Sequence, residues 1–299
     1  MKLVRMQGVS GVGAVEGGEV IELEETMSAL IAGVTPTPTG RRFELDSTRL
    51  DAPVAEDCRG LFCTGINYRA HQEESADTFS PTVPEHPIFF FKHLSSLAGP
   101  YDELLLDAAV STEFDWEVEL GVVIGRTARN VGPEDAFRYI FGYTIVNDVT
   151  ARDLQKRHQQ WHLGKNVDRS TPVGPWIVTA DEISFPPLMD LTLRVNGVVK
   201  QHATTRDFLF DISRQIATLS ASMTLLPGDV VSTGTPAGVG FTRNPPEFLC
   251  HGDLMETEVR GLGVLRNRIA TSAALTTSGP HLDLDEAVAI QPVGAGGMR

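Results

Sequence analysis

The stretch 114–153 limits what this chain can become. It reads FDWEVELGVVIG, then a turn-rich connection, then YIFGYTIVNDVTARD. Side chains alternate faces along a strand, so Glu117 and Glu119 point one way while Trp116, Val118 and Leu120 point into a core. Residues 141–147 are again β-like, and Asp148 falls at their end. If the two strands are neighbours, three carboxylates meet at one place. Half-buried like charges repel and resist ionisation, so such a cluster calls for a counter-charge. A hard divalent cation supplies it, because carboxylate oxygens are what Mg²⁺, Mn²⁺ and Ca²⁺ prefer. The alternative is an ordinary solvated polar face. Against it, the next two positions on the same face are Gly121 and Val123, which are not polar. Thr150 and Asp153 form a T-x-x-D capping box, which predicts a helix over 150–160 and puts Asp148 in the loop before it, where sites tend to form.

Several function classes are disfavoured by composition. The 299 residues allow one large domain or two modest ones, and the 41% apolar fraction supports a substantial core. No apolar run reaches the roughly 18 residues of a membrane span. The N-terminus MKLVRMQGVSG lacks the apolar segment of a secretion signal. The net charge of −14, with no basic stripe, argues against nucleic acid as a partner. Cys58, Cys63 and Cys250 have no metal-ligand spacing, and three widely separated thiols fit a reducing cytoplasm.

Along the chain, 1–24 reads as short strands separated by glycine turns, 25–32 as a brief helix and 34–40 as a proline-rich loop. Together 1–55 form a small N-terminal β-rich lobe, taken as scaffold or interface. Residues 61–68 form an apolar strand. His71 and Glu74 follow, three apart and so on one side of a helical turn. A carboxylate that orients an imidazole makes a general base, although such a pair is also common on surfaces. The segment 75–87, rich in serine and proline, reads as a mobile lid. Residues 88–99 form an apolar strand carrying one cation, Lys92, which either snorkels from an edge or faces an anionic substrate. Residues 161–175 read as a long irregular loop in which Lys165 could polarise a carbonyl. Asn196-Gly197 marks a hairpin. Residues 208–225 are an amphipathic helix whose Ile212, Ile216, Leu219 and Met223 pack inward. The loop 234–240 lacks the ending of a P-loop, so nucleotide binding is rejected. Its backbone N–H groups and Thr235 could instead hold a small carboxylate. Strands near 254–259 and 263–268 follow, and 270–299 reads as a C-terminal tail.

Taken together, GINYRAHQEE, FFFKHLSS, DWEVELGVVIG, FGYTIVNDVTARDLQ, GPWIVTADEI, LRVNGVVKQ, LLPGDVVSTGTPAGVG and GLGVLRNRI resemble the fumarylacetoacetate hydrolase superfamily, in family order over roughly 60–268. The resemblance implies an α+β, mostly β fold, a mixed β-sandwich roll with short flanking helices, in a catalytic domain of 56–269. It implies a homodimer and a Mg²⁺ or Mn²⁺ ion on Glu117, Glu119 and Asp148. His71, Glu74 and Lys165 become the catalytic residues; Lys92, Arg152, Gln155 and Thr235 contact a small anionic oxo acid. The implied activity is hydrolysis of a carbon–carbon bond in a 2,4-dioxo acid of the acylpyruvate type. There Glu74 orients His71, His71 deprotonates a water, and the metal stabilises the departing enolate. Decarboxylation of an oxaloacetate-type acid, isomerisation of a hydroxy-dienedioate, and a non-catalytic keto-acid binder are the alternatives. Leu163-Gly164-Lys165 and Arg169-Ser-Thr-Pro172 depart from the common family pattern, and both segments bear on substrate identity.

Overall fold

The computed structural model describes residues 1–7, 11–45, 49–79 and 82–272. Among these residues the backbone is mostly β. A twelve-stranded sheet has a main path that runs Pro38–Glu44, Glu19–Leu23, Val12–Glu16, Lys2–Met6, Thr171–Thr179, Ile140–Asn147, Val118–Ile124, Val230–Ser232, Leu61–Gly65, Ile88–Lys92. A five-stranded sheet runs Val198–Thr204, Asp190–Val195, Leu254–Val259, Gly263–Ser272, Leu104–Asp107. The two sheets share a core: Val118, Leu120 and Val122 of the large sheet belong to one apolar cluster with Leu191, Leu193, Met255 and Leu265 of the small one. The opposite face of the large sheet, including Leu61, Val123, Val146 and Val173, packs with Met27, Leu30 and Ile31 of helix α1 (Met27–Ile31). Both faces of the central strands are therefore dry, which is why Val118–Ile124 is buried at every position.

The expected strand pair exists. Val118 pairs with Asn147 and Glu119 with Val146 in antiparallel register, and the Asp148 N–H donates to the Glu117 carbonyl at 2.9 Å. The hairpin at Asn196-Gly197 is also present, with φ of 53° and 77°, the left-handed pair that a primed two-residue turn requires.

Other expectations are corrected. The loop expected over 34–40 ends early, because Pro38 opens the edge strand Pro38–Glu44, a position where a missing N–H costs nothing. The strand expected over 88–99 stops at Lys92. The capping box is not formed. Helix α3 is Arg152–Arg157, its N-cap is Ala151, and no side chain caps it. The Thr150 hydroxyl donates instead to the Asp148 carbonyl at 2.9 Å, and Asp153 accepts from Ser111 at 2.6 Å. The irregular loop expected over 161–175 contains helix α4 (His162–Lys165) and the first half of strand Thr171–Thr179. Helix α5 is Ile212–Ser222, capped by the Asp211 carboxylate on Arg214 N–H at 2.8 Å; 208–211 lie outside it and Met223 is exposed rather than packed. Residues 270–272, expected to open the tail, continue the strand Gly263–Ser272 beside Leu104–Asp107; the rest of that tail lies outside the described residues, as do Ser80 and Pro81 of the expected lid.

Candidate active site

Glu117 and Glu119 leave the strand edge on one face, as alternation requires, and Asp148 arrives from the neighbouring strand. One carboxylate oxygen from each lies within 4.8 Å of the others, and all three residues are buried. Three cations surround them. Lys165, at the end of α4, places Nζ 2.8 Å from Glu117 Oε2 and 2.7 Å from Asp148 Oδ2. Lys92 Nζ stands 2.7 Å from Asp148 Oδ1 without the alignment of a hydrogen bond, and Arg152 Nη2 stands 2.7 Å from Glu117 Oε1 in the same way. Lys92 is wholly buried, so it faces the site and does not snorkel.

The electrostatics separate the three acids. Burial opposes ionisation of Glu117, but Lys165 and Arg152 beside it outweigh that and hold its pKa down at about 2. Burial raises the Asp148 carboxyl, with Lys165 and Lys92 pulling against it. Glu119 is pushed well above the ordinary range, first by burial and then by Asp148 and Glu117. It accepts from the Ser232 hydroxyl at 2.5 Å and the Gly234 N–H at 3.0 Å, and among the described residues no ammonium or guanidinium pairs with it. Burial lowers the Lys165 ammonium, yet Asp148 and Glu117 more than compensate and raise it, so it stays a cation.

A divalent cation fits this set. The donors are three hard carboxylate oxygens, the set such ions take. Asp148 Oδ1 is buried and takes no aligned hydrogen bond, and at Glu119 the attraction of Lys165 is outweighed by burial and by the neighbouring acids. Among the described residues, four buried acids, Asp115, Glu117, Glu119 and Asp148, face three buried cations, Lys92, Arg152 and Lys165, so the acid in excess, Glu119, ionises only when a further cation arrives.

The histidine of the dyad lies on the cavity that Glu117 and Glu119 line. Helix α2 (Arg69–Glu74) sets His71 Nδ1 2.8 Å from Glu74 Oε1. His71, Glu117, Glu119, Arg152, Gln155, Lys165 and Thr235 all line one pocket. Gln155 Oε1 accepts from Arg152 Nη1 at 3.0 Å.

The glycine loop serves a different end from the one expected. Three of its N–H groups hold the protein's own acids: Gly234 N–H donates to Glu119, Gly238 N–H to Glu74 at 2.9 Å, and Gly240 N–H to Asp115 at 2.7 Å. The Thr235 hydroxyl donates to the Val118 carbonyl at 3.1 Å and accepts from Gln201 Nε2 at 2.8 Å. Thr235 thus borders the pocket while its hydroxyl is engaged by the fold.

Sequence reasoning passed over Asp115. It is fully buried, accepts from Gly240 and Phe241 N–H groups, and pairs with Arg152 Nε at 2.8 Å. It therefore ties the glycine loop to the guanidinium that touches Glu117. The signal was present: Asp115, Glu117 and Glu119 are spaced by two, so strand alternation puts all three on one face. Also missed were the rings of Phe79, Phe90 and Trp161, which complete the pocket wall.

Comparison with known proteins decides the family. The family model described as "Fumarylacetoacetate (FAA) hydrolase C-terminal" matches residues 60–270. The chain belongs to the fumarylacetoacetate hydrolase family. A second family model, "Rv2993c-like, N-terminal", matches residues 1–53. The chain is 40% identical over 227 residues to oxaloacetate tautomerase YisK of Bacillus subtilis (strain 168), covering 76% of this chain and 75% of that protein. Among solved structures it resembles fumarylacetoacetate hydrolase from psychrophilic Exiguobacterium antarcticum, with a TM-score of 0.80 at 36% identity over 91% of this chain and 99% of that one. It also resembles 2-hydroxyhepta-2,4-diene-1,7-dioate isomerase from Mycobacterium marinum, with a TM-score of 0.75 at 36% identity over 91% and 99%. The mixed β architecture expected from the family motifs is the one observed. The relatives carry tautomerase and isomerase names as well as hydrolase names, so the expected carbon–carbon hydrolysis is supported only as far as the family.

Proposed function

We propose that this protein is a metal-dependent enzyme that shifts a proton on a small 2-oxo dicarboxylate, interconverting its keto and enol forms. The observation that carries the reading is the convergence on one pocket of His71, which Glu74 holds through Nδ1, of Glu117 and Glu119 from the three-carboxylate cluster, and of the Lys165 and Arg152 cations. The tautomerase and isomerase names of the relatives favour proton transfer over hydrolysis.

A divalent cation, taken here as Mg²⁺ or Mn²⁺, held by Glu117, Glu119 and Asp148 would act as a Lewis acid toward the substrate's carboxylate and keto oxygens. Glu74 accepts the His71 Nδ1 proton, which leaves Nε2 with its lone pair as the base. In the enolising direction His71 Nε2 takes the proton from the carbon next to the keto group and delivers it to the keto oxygen, giving the enol; in the ketonising direction it takes the enol O–H proton and delivers it to that carbon. Arg152 and Lys165 offer fixed positive charge to the oxygens on which negative charge develops, in a site where water does not dilute the field. Gln155 lines the pocket and Lys92 lies behind it on Asp148; we assign Gln155 to substrate orientation and Lys92 to the ionisation of Asp148.

A second reading is hydrolysis of a 2,4-dioxo acid, because the same His71–Glu74 pair could deprotonate a water. Decarboxylation of an oxaloacetate-type acid would use the same cations. Oxaloacetate and acetylpyruvate, each supplied with Mg²⁺ or Mn²⁺ and followed by NMR, separate the three. Faster enol–keto exchange without pyruvate supports the proposal; acetate plus pyruvate from acetylpyruvate supports hydrolysis; carbon dioxide plus pyruvate from oxaloacetate supports decarboxylation. A homodimer remains part of the proposal, to be checked by light scattering. Among the described residues, no helix is long and apolar enough to cross a membrane.

A further inference from the structure

The pocket at the carboxylates encloses about 20 Å³, room for roughly one water molecule and too little for a four-carbon oxo acid. Rings close it. Trp161 meets Phe79 edge-on at 5.3 Å and Phe90 at 5.6 Å between centroids. Phe79 meets Phe241 at 5.7 Å. Each is a T-shaped contact of the kind that adds packing energy beyond burial.

Trp161 is held in two ways. Its carbonyl accepts the Lys165 N–H at 3.0 Å, so the indole and the ammonium on Glu117 sit one helical turn apart on a single rigid piece. Its ring lies against Gly65 at the end of strand Leu61–Gly65. A Cβ on Gly65 would come within 2.5 Å of Cζ3 and 2.9 Å of Cη2. Gly65 does not have a left-handed φ, so the glycine is required by space and not by backbone conformation. Gly65 and Trp161 both line the pocket.

We propose that Trp161, seated on Gly65, is the specificity-determining residue of the site: its indole limits the length of chain that a 2-oxo acid can extend beyond its keto group. Small 2-oxo acids enter with a modest displacement of the rings. A longer chain meets the indole, which cannot retreat toward the strand because the Gly65 backbone already touches it. This inference rests on reading the site as one for oxo acids.

The test uses the Mn²⁺-loaded full chain and a series of saturated 2-oxo acids, from pyruvate to 2-oxooctanoate, with affinities measured by calorimetry. In the wild type, affinity falls at least tenfold from the shortest to the longest acid. In Trp161→Ala that ratio shrinks at least tenfold, while Mn²⁺ affinity stays within twofold. Gly65→Ala drives its new methyl into the indole and weakens even pyruvate about tenfold, and the Gly65→Ala/Trp161→Ala double variant restores it. If Trp161→Ala does not fold, Trp161→Phe is read instead and shrinks the ratio about threefold. An unchanged length dependence in the folded variant, with pyruvate bound normally, overturns the inference alone. Failure of the wild type to bind pyruvate at all overturns the oxo-acid reading and the inference with it.

Discussion

Glu119 shows how one residue can fit its site poorly until a cation arrives. It is buried, forms no ion pair among the described residues, and its carboxyl is pushed well above the ordinary value of 4.5 by burial and by Asp148 and Glu117. Metal binding must then displace a proton, so Mn²⁺ affinity should rise with pH, and calorimetry in buffers of different ionisation enthalpy should detect a proton released per ion bound. The sign for stability follows from linkage. Above pH 4.5 the metal-free folded state holds a proton on Glu119 that the unfolded chain has lost, so this residue makes stability fall as pH rises. Glu117, held at about 2, acts in the opposite sense and its contribution disappears only as pH drops from 4.5 toward 2. Thermal melts of the metal-free protein across pH 5–8 should show the Glu119 slope, and excess Mn²⁺ should remove it. Replacing Glu119 by Gln keeps the shape but removes the carboxylate that a metal ion would bind. It should weaken Mn²⁺ binding at least a hundredfold without lowering the metal-free melting temperature, because the metal-free carboxyl is held protonated and a neutral amide takes its place. The thiols give an independent check on burial. Burial pushes the Cys58 thiol up to about 11 and Cys63 well above the usual thiol range, whereas Cys250 is exposed. A thiol reagent at pH 8 should modify one cysteine in the native protein and three in denaturant.

At the level of elements, the glycine loop and helix α2 form one unit. Glu74 joins them through Gly238 N–H and the Thr242 hydroxyl at 3.2 Å, and Asp115 pins the far end of the loop through Gly240 and Phe241. Asp115→Asn would leave the buried Arg152 without its paired acid and should destabilise the fold by about 3 kcal/mol, the usual cost of breaking a buried pair, measured by urea unfolding. It should also lower kcat more than it raises KM, because Arg152 would lose its aim while the metal ligands remain. The sequence carried part of this unit openly. Alternation placed Glu117 beside Glu119, and the paired strands brought Asp148 to them, because both rules are local to one hairpin. The loop's partners were not legible, since Gly240 and Asp115 lie 125 residues apart and nothing near either residue names the other. Helix α4 was hidden because four residues carry no periodicity; tertiary contacts of Trp161 and Lys165 hold it. The Thr150 motif misled because a hydroxyl two residues after Asp148 found that residue's carbonyl closer than a helix terminus.

Across the whole molecule, the N-terminal strands extend the sheet that carries the site. Lys2 pairs with Val178 and Leu3 with Ile177, and Thr171–Thr179 continues to Ile140–Asn147, whose end presents Asp148. We propose that residues 1–55 form a lobe by sequence origin that supports the catalytic domain of 56–269. A chain beginning at residue 56 would expose the edge of strand Thr171–Thr179 and the apolar face that α1 covers. It should aggregate on expression or melt at least 10 °C lower, as a solubility assay and a thermal melt would show.

The most direct test of the central claim follows enol-oxaloacetate converting to its keto form by ultraviolet absorbance, with Mg²⁺ or Mn²⁺ and then with excess chelator, for wild type and His71→Ala. A base contributes about 10²–10⁴ to such a step. The account predicts metal-dependent conversion that the chelator abolishes and that His71→Ala slows at least a hundredfold. Conversion that survives the chelator, or that His71→Ala leaves at the wild-type rate, would contradict it.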